Sequence, residues 1–223
     1  MTPGIEVFPV DSYPGRAAAR IASSLPATGS VVLTGGSTAE KIYPVLAEIG
    51  AAWGDLTILF SDERCVPPDD ERSNFRMASE LLLDEVDPRH VHRMRGEDDP
   101  ADAARRYDGE ISPLVGAGLD LVLLGMGADA HIGALYPGSP SLQESELLCA
   151  AVQRPDGLGG LTLTPAALGS ARATLLLVTG GSKAETVRRV LEGDEAIASC
   201  PARLVADLPE VTFLLDEDSA RLL

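Results

Sequence analysis

The sequence of 223 residues is poor in cysteine and contains no long hydrophobic run. Its three cysteines, Cys65, Cys149 and Cys200, are odd in number and far apart, which excludes a disulfide framework and a cysteine-based zinc motif. No apolar stretch reaches the roughly 18 residues that cross a bilayer, and no basic segment followed by an apolar one opens the sequence. We therefore expect a soluble, unprocessed, cytoplasmic protein with reduced thiols.

Positive charge is also scarce, because 18 lysines and arginines stand against 34 aspartates and glutamates, for a formal net charge of −16. Such a surface repels nucleic-acid phosphates and anionic lipids, so we expect neither nucleic acid nor a membrane as a partner. Only Lys41 and Lys183 are lysines, and each lies in a segment that begins Thr-Gly-Gly-Ser. An anionic ligand would need a local basic pocket, for which Lys183 is the better candidate because Lys41 suits an exposed helix position.

Short apolar runs alternate with amphipathic segments along the chain. Strands are predicted at residues 5–8, 30–34, 56–60, 91–94, 119–124, 174–179 and 212–215. Helices are predicted at residues 15–24, 38–49, 74–84, 100–115 and 183–191, with N-caps at Ser37, Ser73 and Ser182, and residues 155–160 are predicted to be a flexible loop. The runs VVL, LVLL and LLLV are apolar at consecutive positions, which is typical of parallel strands buried on both faces. These patterns predict one α/β domain over residues 1–223, with an open, mainly parallel, Rossmann-like sheet covered by helices on both faces.

Three of the predicted strands run into a glycine-rich turn that opens a helix. The segments are VVLTGGSTAEK at residues 31–41, LVLLGMGADAHIGALYPGS at residues 121–139 and LLVTGGSKAET at residues 176–186. Glycines let the backbone approach a ligand closely, and the first N–H groups of a helix lack intrahelical partners, so they attract phosphate or an oxyanion. Ligands of open α/β sheets bind at the carboxyl ends of the strands, where these turns fall. The pattern predicts a site for a small anionic ligand.

His131 is the strongest candidate for chemistry, since it follows Gly127 and Asp129 closely at this end of the sheet. An imidazole that titrates near neutrality accepts a proton from water, whereas the alternative is a hydrogen-bonded histidine without a catalytic role. His90 and His92 alternate on a predicted strand. A solvated edge suits them better than a metal site, because no carboxylate or cysteine lies at ligand spacing. We therefore expect no metal.

A nucleotide site is an alternative for Gly125, Gly127 and Asp129, which form a GxGxD sequence after a strand. The dinucleotide fingerprint requires a third glycine, where Ala130 stands, and the Walker P-loop requires a GK[ST] ending that is absent. We therefore expect no nucleotide cofactor.

The segment after the third predicted strand begins SDER at residue 61. Asp62 and Glu63 put negative charge where the strand ends, and Arg64 offers a guanidinium fork to a phosphate or carboxylate. The alternative is an ordinary surface ion pair.

Five blocks of the sequence, in order and spacing, resemble the 6-phosphogluconolactonases, within the wider group of sugar-phosphate isomerases and deaminases that share their fold. The blocks are LTGGSTAEKIYPVL, FSDERCVPPDDERSNFRMASELLL, LDLVLLGMGADAHIGALYPGSP, LTLTPAAL and LLLVTGGSKAETVRRVL, and they span nearly the whole chain. The resemblance implies hydrolysis of 6-phospho-D-glucono-1,5-lactone to 6-phosphogluconate, the second step of the oxidative pentose phosphate pathway, without cofactor or metal. We expect a monomer or small homo-oligomer.

The resemblance also implies roles for individual residues. It implies that His131 is the general base that activates water, that Arg64 and Lys183 face the substrate, and that the first Gly-Gly-Ser turn helps to hold the phosphate. From the residues themselves, Asp129 is the candidate to orient the ring or shape the loop. The full set of candidate substrate-binding residues is Gly35, Gly36, Ser37, Thr38, Asp62, Arg64, Gly127 and Lys183. Independently, a lactone carbonyl is already electrophilic, so its hydrolysis requires an activated water, an oxyanion donor and an anchor for the phosphate. The backbone N–H groups of residues 127–131 are the candidate oxyanion donors.

Two positions depart from the family pattern. The usual Asp-Gly-His is Asp-Ala-His here, with Ala130 in the middle, and its Cβ is expected to tilt the loop or to demand a negative φ. The arginine that usually precedes LTLT is Gly160. Arg154 and Arg203 are the candidates to replace that arginine.

Two alternative functions stay open. An amino-sugar-phosphate deaminase and isomerase of the same fold follows its histidine with Asn-Glu-Pro-Gly, whereas residues 135–138 of this chain read LYPG. A non-catalytic sugar-phosphate-binding homologue would keep His131, Arg64 and Lys183 but would have lost turnover.

Overall fold

The computed structural model describes residues 2–206 and 208–223, in which strands and helices alternate along the chain. The strands are β1 (Gly4–Phe8), β2 (Gly29–Leu33), β3 (Leu56–Phe60), β4 (Asp62–Arg64), β5 (His90–Val91), β6 (Leu121–Gly125), β7 (Cys149–Gln153), β8 (Gly159–Leu163), β9 (Thr174–Val178) and β10 (Val211–Asp216). The helices are α1 (Tyr13–Ser24), α2 (Ser37–Glu48), α3 (Asn74–Ala78), α4 (Asp84–Val86), α5 (Pro100–Ala117), α6 (Pro165–Leu168), α7 (Ala184–Glu192), α8 (Arg203–Ala206) and α9 (Glu217–Ala220). A π-helical segment, Ser79–Leu83, joins α3 to α4.

Seven strands form one parallel sheet in the order β1-β10-β9-β6-β2-β3-β5. The inner strands are apolar at consecutive positions because both of their faces are covered, and every residue of β9 is buried. The predicted open, mainly parallel α/β sheet is therefore confirmed. Since all seven strands point the same way, the turns that follow β2, β3, β6 and β9 meet at one edge.

Helices cover both faces of this sheet, as predicted. On one face, Val32, Leu124 and Leu176 belong to a buried cluster that also contains the inward residues of α5 and α7. On the other face, Val31 and Leu123 pack in a cluster with α1 and α2. Neighbouring strand residues thus enter opposite cores, which is the period-two geometry of a strand buried on both sides.

Three strands, β4, β8 and β7, form a second, antiparallel sheet that the sequence did not predict. Ser61 links the two sheets, because its N–H donates to Leu33 O at 2.8 Å and its carbonyl accepts from Leu163 N at 2.8 Å. The prediction of a loop over residues 155–160 is wrong at its end, where Gly159 and Gly160 belong to β8.

Several predicted boundaries need correction. The strand predicted at residues 91–94 is β5, which ends at Val91. The N-cap at Ser73 is confirmed, since its side chain accepts a hydrogen bond from Arg76 N at 3.1 Å. The N-caps at Ser37 and Ser182 are wrong: glycine precedes the first helical turn at both places, with φ of 92° at Gly36 and 93° at Gly180, a region that glycine enters at least cost.

His90 and His92 lie on and beside the outer strand β5, and His92 Nδ1 is 3.5 Å from Glu110 Oε2. Over residues 2–206 and 208–223, no three side chains of the metal-ligating types come together as a metal site. In the same ranges no helix has the length and apolar character that spanning a membrane requires.

Candidate active site

A cleft of about 530 Å³ lies at the carboxyl edge of the parallel sheet. The turns after β2, β3, β6 and β9 line it, together with the turn between β7 and β8. All ten predicted site residues face this one cleft: Gly35, Gly36, Ser37, Thr38, Asp62, Arg64, Gly127, Asp129, His131 and Lys183. Their roles stay predictions, but the fold brings the whole set together.

The His131 side chain is held by a carboxylate. Its Nδ1 lies 2.5 Å from Asp129 Oδ1, and the same oxygen accepts the backbone N–H of His131 at 3.2 Å. A carboxylate accepts the Nδ1 proton, so the lone pair of the neutral ring lies on Nε2. The imidazole is about one-third exposed and its centroid is 4.8 Å from that of the Tyr136 ring.

The loop that carries this pair is fixed by its own backbone and by its neighbours. Gly127 N donates to His131 O at 2.9 Å, and Ala130 N donates to Gly127 O at 3.1 Å. Ala202 N donates to Ala130 O at 2.9 Å, and Thr186 Oγ1 donates to Ala128 O at 2.5 Å. The imidazole is therefore presented from a rigid turn.

Ala130 occupies the left-handed region with φ of 70°, so the expectation of a negative φ is wrong, whereas a tilt of the loop stays a prediction. The residue is fully buried, and both its N–H and its carbonyl are hydrogen-bonded. The surrounding contacts thus impose the glycine-like conformation although a Cβ is present.

Gly127 has no room for a side chain. A Cβ there would lie 2.2 Å from both Nδ1 and Cε1 of His131, and 2.6 Å from Asp129 Oδ1. The absence of a side chain at residue 127 is what lets the imidazole lie against the turn while it contacts Asp129.

The first turn of α2 forms another wall of the cleft. Its first intrahelical bond runs from Glu40 N to Gly36 O at 3.0 Å, so the N–H groups of Ser37 and Thr38 have no acceptor within the helix. The Thr38 hydroxyl lies 2.9 Å from that of Thr179 after β9. Because α2 has 12 residues, its dipole adds to this array of donors and favours an anion.

Glu63 holds β4 against the start of α3. Its buried carboxylate accepts hydrogen bonds from the backbone N–H groups of Arg64, Asn74 and Phe75 at 2.7–2.8 Å and from the Ser73 hydroxyl at 2.9 Å. Burial raises the pKa of Glu63, while these four donors lower it. The carboxylate therefore supports the turn that carries Arg64.

Asp62 and Arg64, which precede and follow Glu63 in β4, both line the cleft. Asp62 is buried and accepts from the Ser61 hydroxyl at 2.8 Å and from Asn74 Nδ2 at 3.1 Å. Arg64 Nη1 donates to Arg72 O at 2.5 Å, whereas its buried Nε has no partner in the part of the chain that the structure describes. A guanidinium fixed at one nitrogen, with others available, suits an anionic ligand.

Lys183 ends the short 3₁₀ turn after β9 and lines the same cleft. Burial lowers the pKa of its ammonium group, and the negative charge of Asp216 partly offsets this effect. An anion bound beside Lys183 would raise that pKa again, since it favours the charged form.

Sequence reasoning missed Tyr136 and Asp156, which also line the cleft, and left Arg154 as one of two guesses. Tyr136 follows His131 by five residues in the same glycine-rich segment, which was the available signal. Arg203 lies outside the cleft lining and its guanidinium donates to Gly193 O, so the expectation that it replaces a cleft arginine is not supported.

The fold and the cleft define an α/β protein with a site for a small anionic ligand at the carboxyl edge of an open parallel sheet. Residues 12–213 match the family described as glucosamine-6-phosphate isomerases/6-phosphogluconolactonase. The chain belongs to this family.

The curated relatives and solved structures that this chain resembles include lactonases and a deaminase. The chain is 33% identical over 200 residues to the 6-phosphogluconolactonase of Synechocystis, covering 86% of this chain and 83% of that protein. The structure of 6-phosphogluconolactonase from Trypanosoma cruzi superposes with a TM-score of 0.88 at 26% identity, over 100% of this chain and 98% of the other. A monomeric glucosamine-6-phosphate deaminase, with a TM-score of 0.87 at 24% identity over 99% and 100% of the two chains, shares the fold alone.

Proposed function

We propose that this chain hydrolyses 6-phospho-D-glucono-1,5-lactone to 6-phosphogluconate in the oxidative pentose phosphate pathway. The observation that carries the proposal is the contact of His131 Nδ1 with Asp129 Oδ1 in a cleft that also holds an open helix N-terminus and three cationic side chains. Membership of the family, with a lactonase relative at 33% identity, supports the choice of substrate.

His131 Nε2 acts as the general base. It takes a proton from water as the oxygen attacks the lactone carbonyl carbon, and Asp129 stabilises the imidazolium that forms. The tetrahedral oxyanion accepts hydrogen bonds from backbone N–H groups of the turn at residues 127–131. When the bond from the carbonyl carbon to the ring oxygen breaks, the imidazolium returns its proton to that oxygen, which becomes the hydroxyl of the open acid.

The remaining cleft residues hold the substrate at its far end. The N–H groups at the start of α2, from Gly36 to Thr38, face the cleft together with Arg64 and Lys183. These donors bind the phosphate and the sugar hydroxyls, and Asp62 accepts from a hydroxyl. A molecule with a net charge of −16 thus offers its anionic substrate a local cluster of positive groups.

Freshly prepared lactone tests the proposal. Purified protein is expected to release acid well above the spontaneous rate, and His131→Asn is expected to lower kcat by about 10²–10⁴-fold, the usual contribution of a general base. His92→Asn, outside the cleft lining, is the matched control and is expected to keep native activity.

The competing functions predict other results. Ammonia release from glucosamine 6-phosphate would identify a deaminase, and tight binding of 6-phosphogluconate without lactone turnover would identify a non-catalytic binding protein. Either result, or a His131→Asn variant as fast as the native protein, would contradict the proposal.

A further inference from the structure

The antiparallel sheet places two arginines on one side of the cleft. Arg64 of β4 and Val152 of β7 are both direct partners of Gly160 on the middle strand β8. Residues opposite each other in a sheet project from the same face, and so do residues two apart along a strand. Arg154 follows Val152 by two residues, so its side chain starts from the face that carries Arg64.

Gly160 leaves the space that Arg154 occupies. A Cβ at residue 160 would lie 3.2 Å from both Cγ and Cδ of Arg154 and 3.3 Å from Val152 Cγ2. The aliphatic stem of Arg154 therefore packs closely against the position where a side chain of residue 160 would begin, and Arg154 also lines the cleft.

The Arg154 side chain is well ordered by its surroundings, since only 13% of it is exposed. Its Nε lies 3.2 Å from Asp156 Oδ2, and its Cζ lies 5.9 Å from the centroid of the Tyr136 ring. Over the described ranges no protein acceptor hydrogen-bonds its two terminal nitrogens. Two parallel N–H donors of this kind match the oxygens of a phosphate.

We propose that Arg154 is a phosphate-binding residue of this cleft, and that Gly160 is the position whose missing side chain admits it. The proposal rests on the function proposed above. The Tyr136 ring contacts both His131 and Arg154, so the base and the arginine are separated by about one side chain. A hexose phosphate carries its carbonyl carbon and its phosphate at opposite ends, which suits a cleft that presents the base and the arginine beside one aromatic ring.

Calorimetric titration of the native protein and of Arg154→Gln with 6-phosphogluconate and with gluconate tests this assignment without requiring turnover. A hydrogen-bonded charge pair of this kind predicts a loss of roughly 10- to 100-fold in 6-phosphogluconate affinity, with gluconate affinity unchanged. Arg154→Lys is expected to lose less, because it keeps the charge but not the fork. Arg188→Gln, on the exposed side of α7 and paired with Glu185, is the control.

Moving the arginine gives a second readout. Gly160→Arg in the native background is expected to weaken 6-phosphogluconate binding, because the new Cβ crowds the Arg154 stem. The same substitution combined with Arg154→Ala is expected to recover most of the affinity that Arg154→Ala alone loses.

Equal losses of affinity for both ligands, or no loss of affinity in Arg154→Gln, would overturn the assignment. It would also be overturned if the double variant recovered no affinity although its thermal unfolding matched that of Arg154→Ala. These outcomes differ from failure of the proposed function, which appears as absence of lactone turnover in the native protein. Where lactone is turned over, a rise in KM with little change in kcat is the kinetic form of the same result.

Discussion

Gly127→Ala is the smallest change that separates His131 from its partner. The added methyl carbon would lie 2.2 Å from Nδ1 and Cε1 of the imidazole, whereas non-bonded carbon atoms settle at about 3.5–4.0 Å. The ring must therefore move by more than about 1 Å. Because the same methyl lies 2.6 Å from Asp129 Oδ1, the contact between Nδ1 and the carboxylate cannot survive the movement.

The expected loss follows from this displacement. A misplacement of about 1 Å at a reacting group costs on the order of 10²-fold in rate, so kcat for the lactone is expected to fall by about that factor with KM little changed. The fold is expected to lose only about 1 kcal/mol, the value of one hydrogen bond, since the one-third exposed ring moves toward solvent. That corresponds to a decrease of roughly 2–4 °C in Tm for a chain of this length.

The measurement is initial-rate acid release from fresh lactone, with thermal unfolding of the same samples. Gly54→Ala is the matched control, because a Cβ at residue 54 meets nothing within 4 Å and the residue lies outside the cleft lining. A Gly127→Ala variant whose kcat stays within about three-fold of the native value would refute the reasoning, since the positioned pair would then not be needed.

Three other predictions concern charge and strain. Burial lowers the pKa of Lys183 below the ordinary lysine value of about 10.4, so its positive charge, and with it 6-phosphogluconate affinity, is lost as pH rises through that lowered pKa. In calorimetric titrations, Lys183→Arg should move this loss of affinity to higher pH. Identical pH profiles for the two proteins would contradict the assignment. Glu63→Gln is expected to destabilise the fold by about 2–4 kcal/mol in denaturant unfolding, since an amide oxygen cannot accept four hydrogen bonds. The control is Glu80→Gln, which removes an exposed ion-pair partner and should cost under about 1 kcal/mol. Equal losses in the two variants would contradict the role of Glu63 in supporting the turn that carries Arg64. Ala130→Gly is expected to change the free energy of unfolding by less than about 1 kcal/mol. Relief of the strained left-handed conformation offsets two losses, that of a buried methyl group and that caused by the greater flexibility of glycine in the unfolded chain. A larger decrease would show that residue 130 carries no strain.

The parallel sheet was predictable because each of its inner strands is apolar at consecutive residues, as in the fully buried β9. The antiparallel sheet carries no such signal. Its strand β4 has three charged residues, and β8 begins with two glycines, so neither shows the period-two alternation or the β-propensity that marks a strand. These strands are held by pairing between distant segments and by Ser61, which hydrogen-bonds to both sheets, so their formation is a tertiary effect.

The candidate site was largely predictable for a different reason. Gly35, Asp62, His131 and Lys183 each lie in the segment that follows a strand of the predicted sheet, and parallel topology brings such segments to one edge. Arg154 follows an antiparallel strand instead. Its place in the cleft depends on the register between β7 and β8, which no local pattern in the sequence specifies.

Ala130 and Gly160 show how the rest of the fold decides the effect of an unusual residue. Judged alone, an alanine avoids the left-handed region, which costs about 1–2 kcal/mol. At residue 130, however, its N–H and carbonyl are both hydrogen-bonded and its methyl is buried, and each of these contacts contributes about as much as the strain costs. Gly160 works in the opposite direction, since the missing side chain leaves space that the stem of Arg154 fills. In both cases the surrounding residues accommodate the unusual residue, by hydrogen bonds at residue 130 and by packing at residue 160.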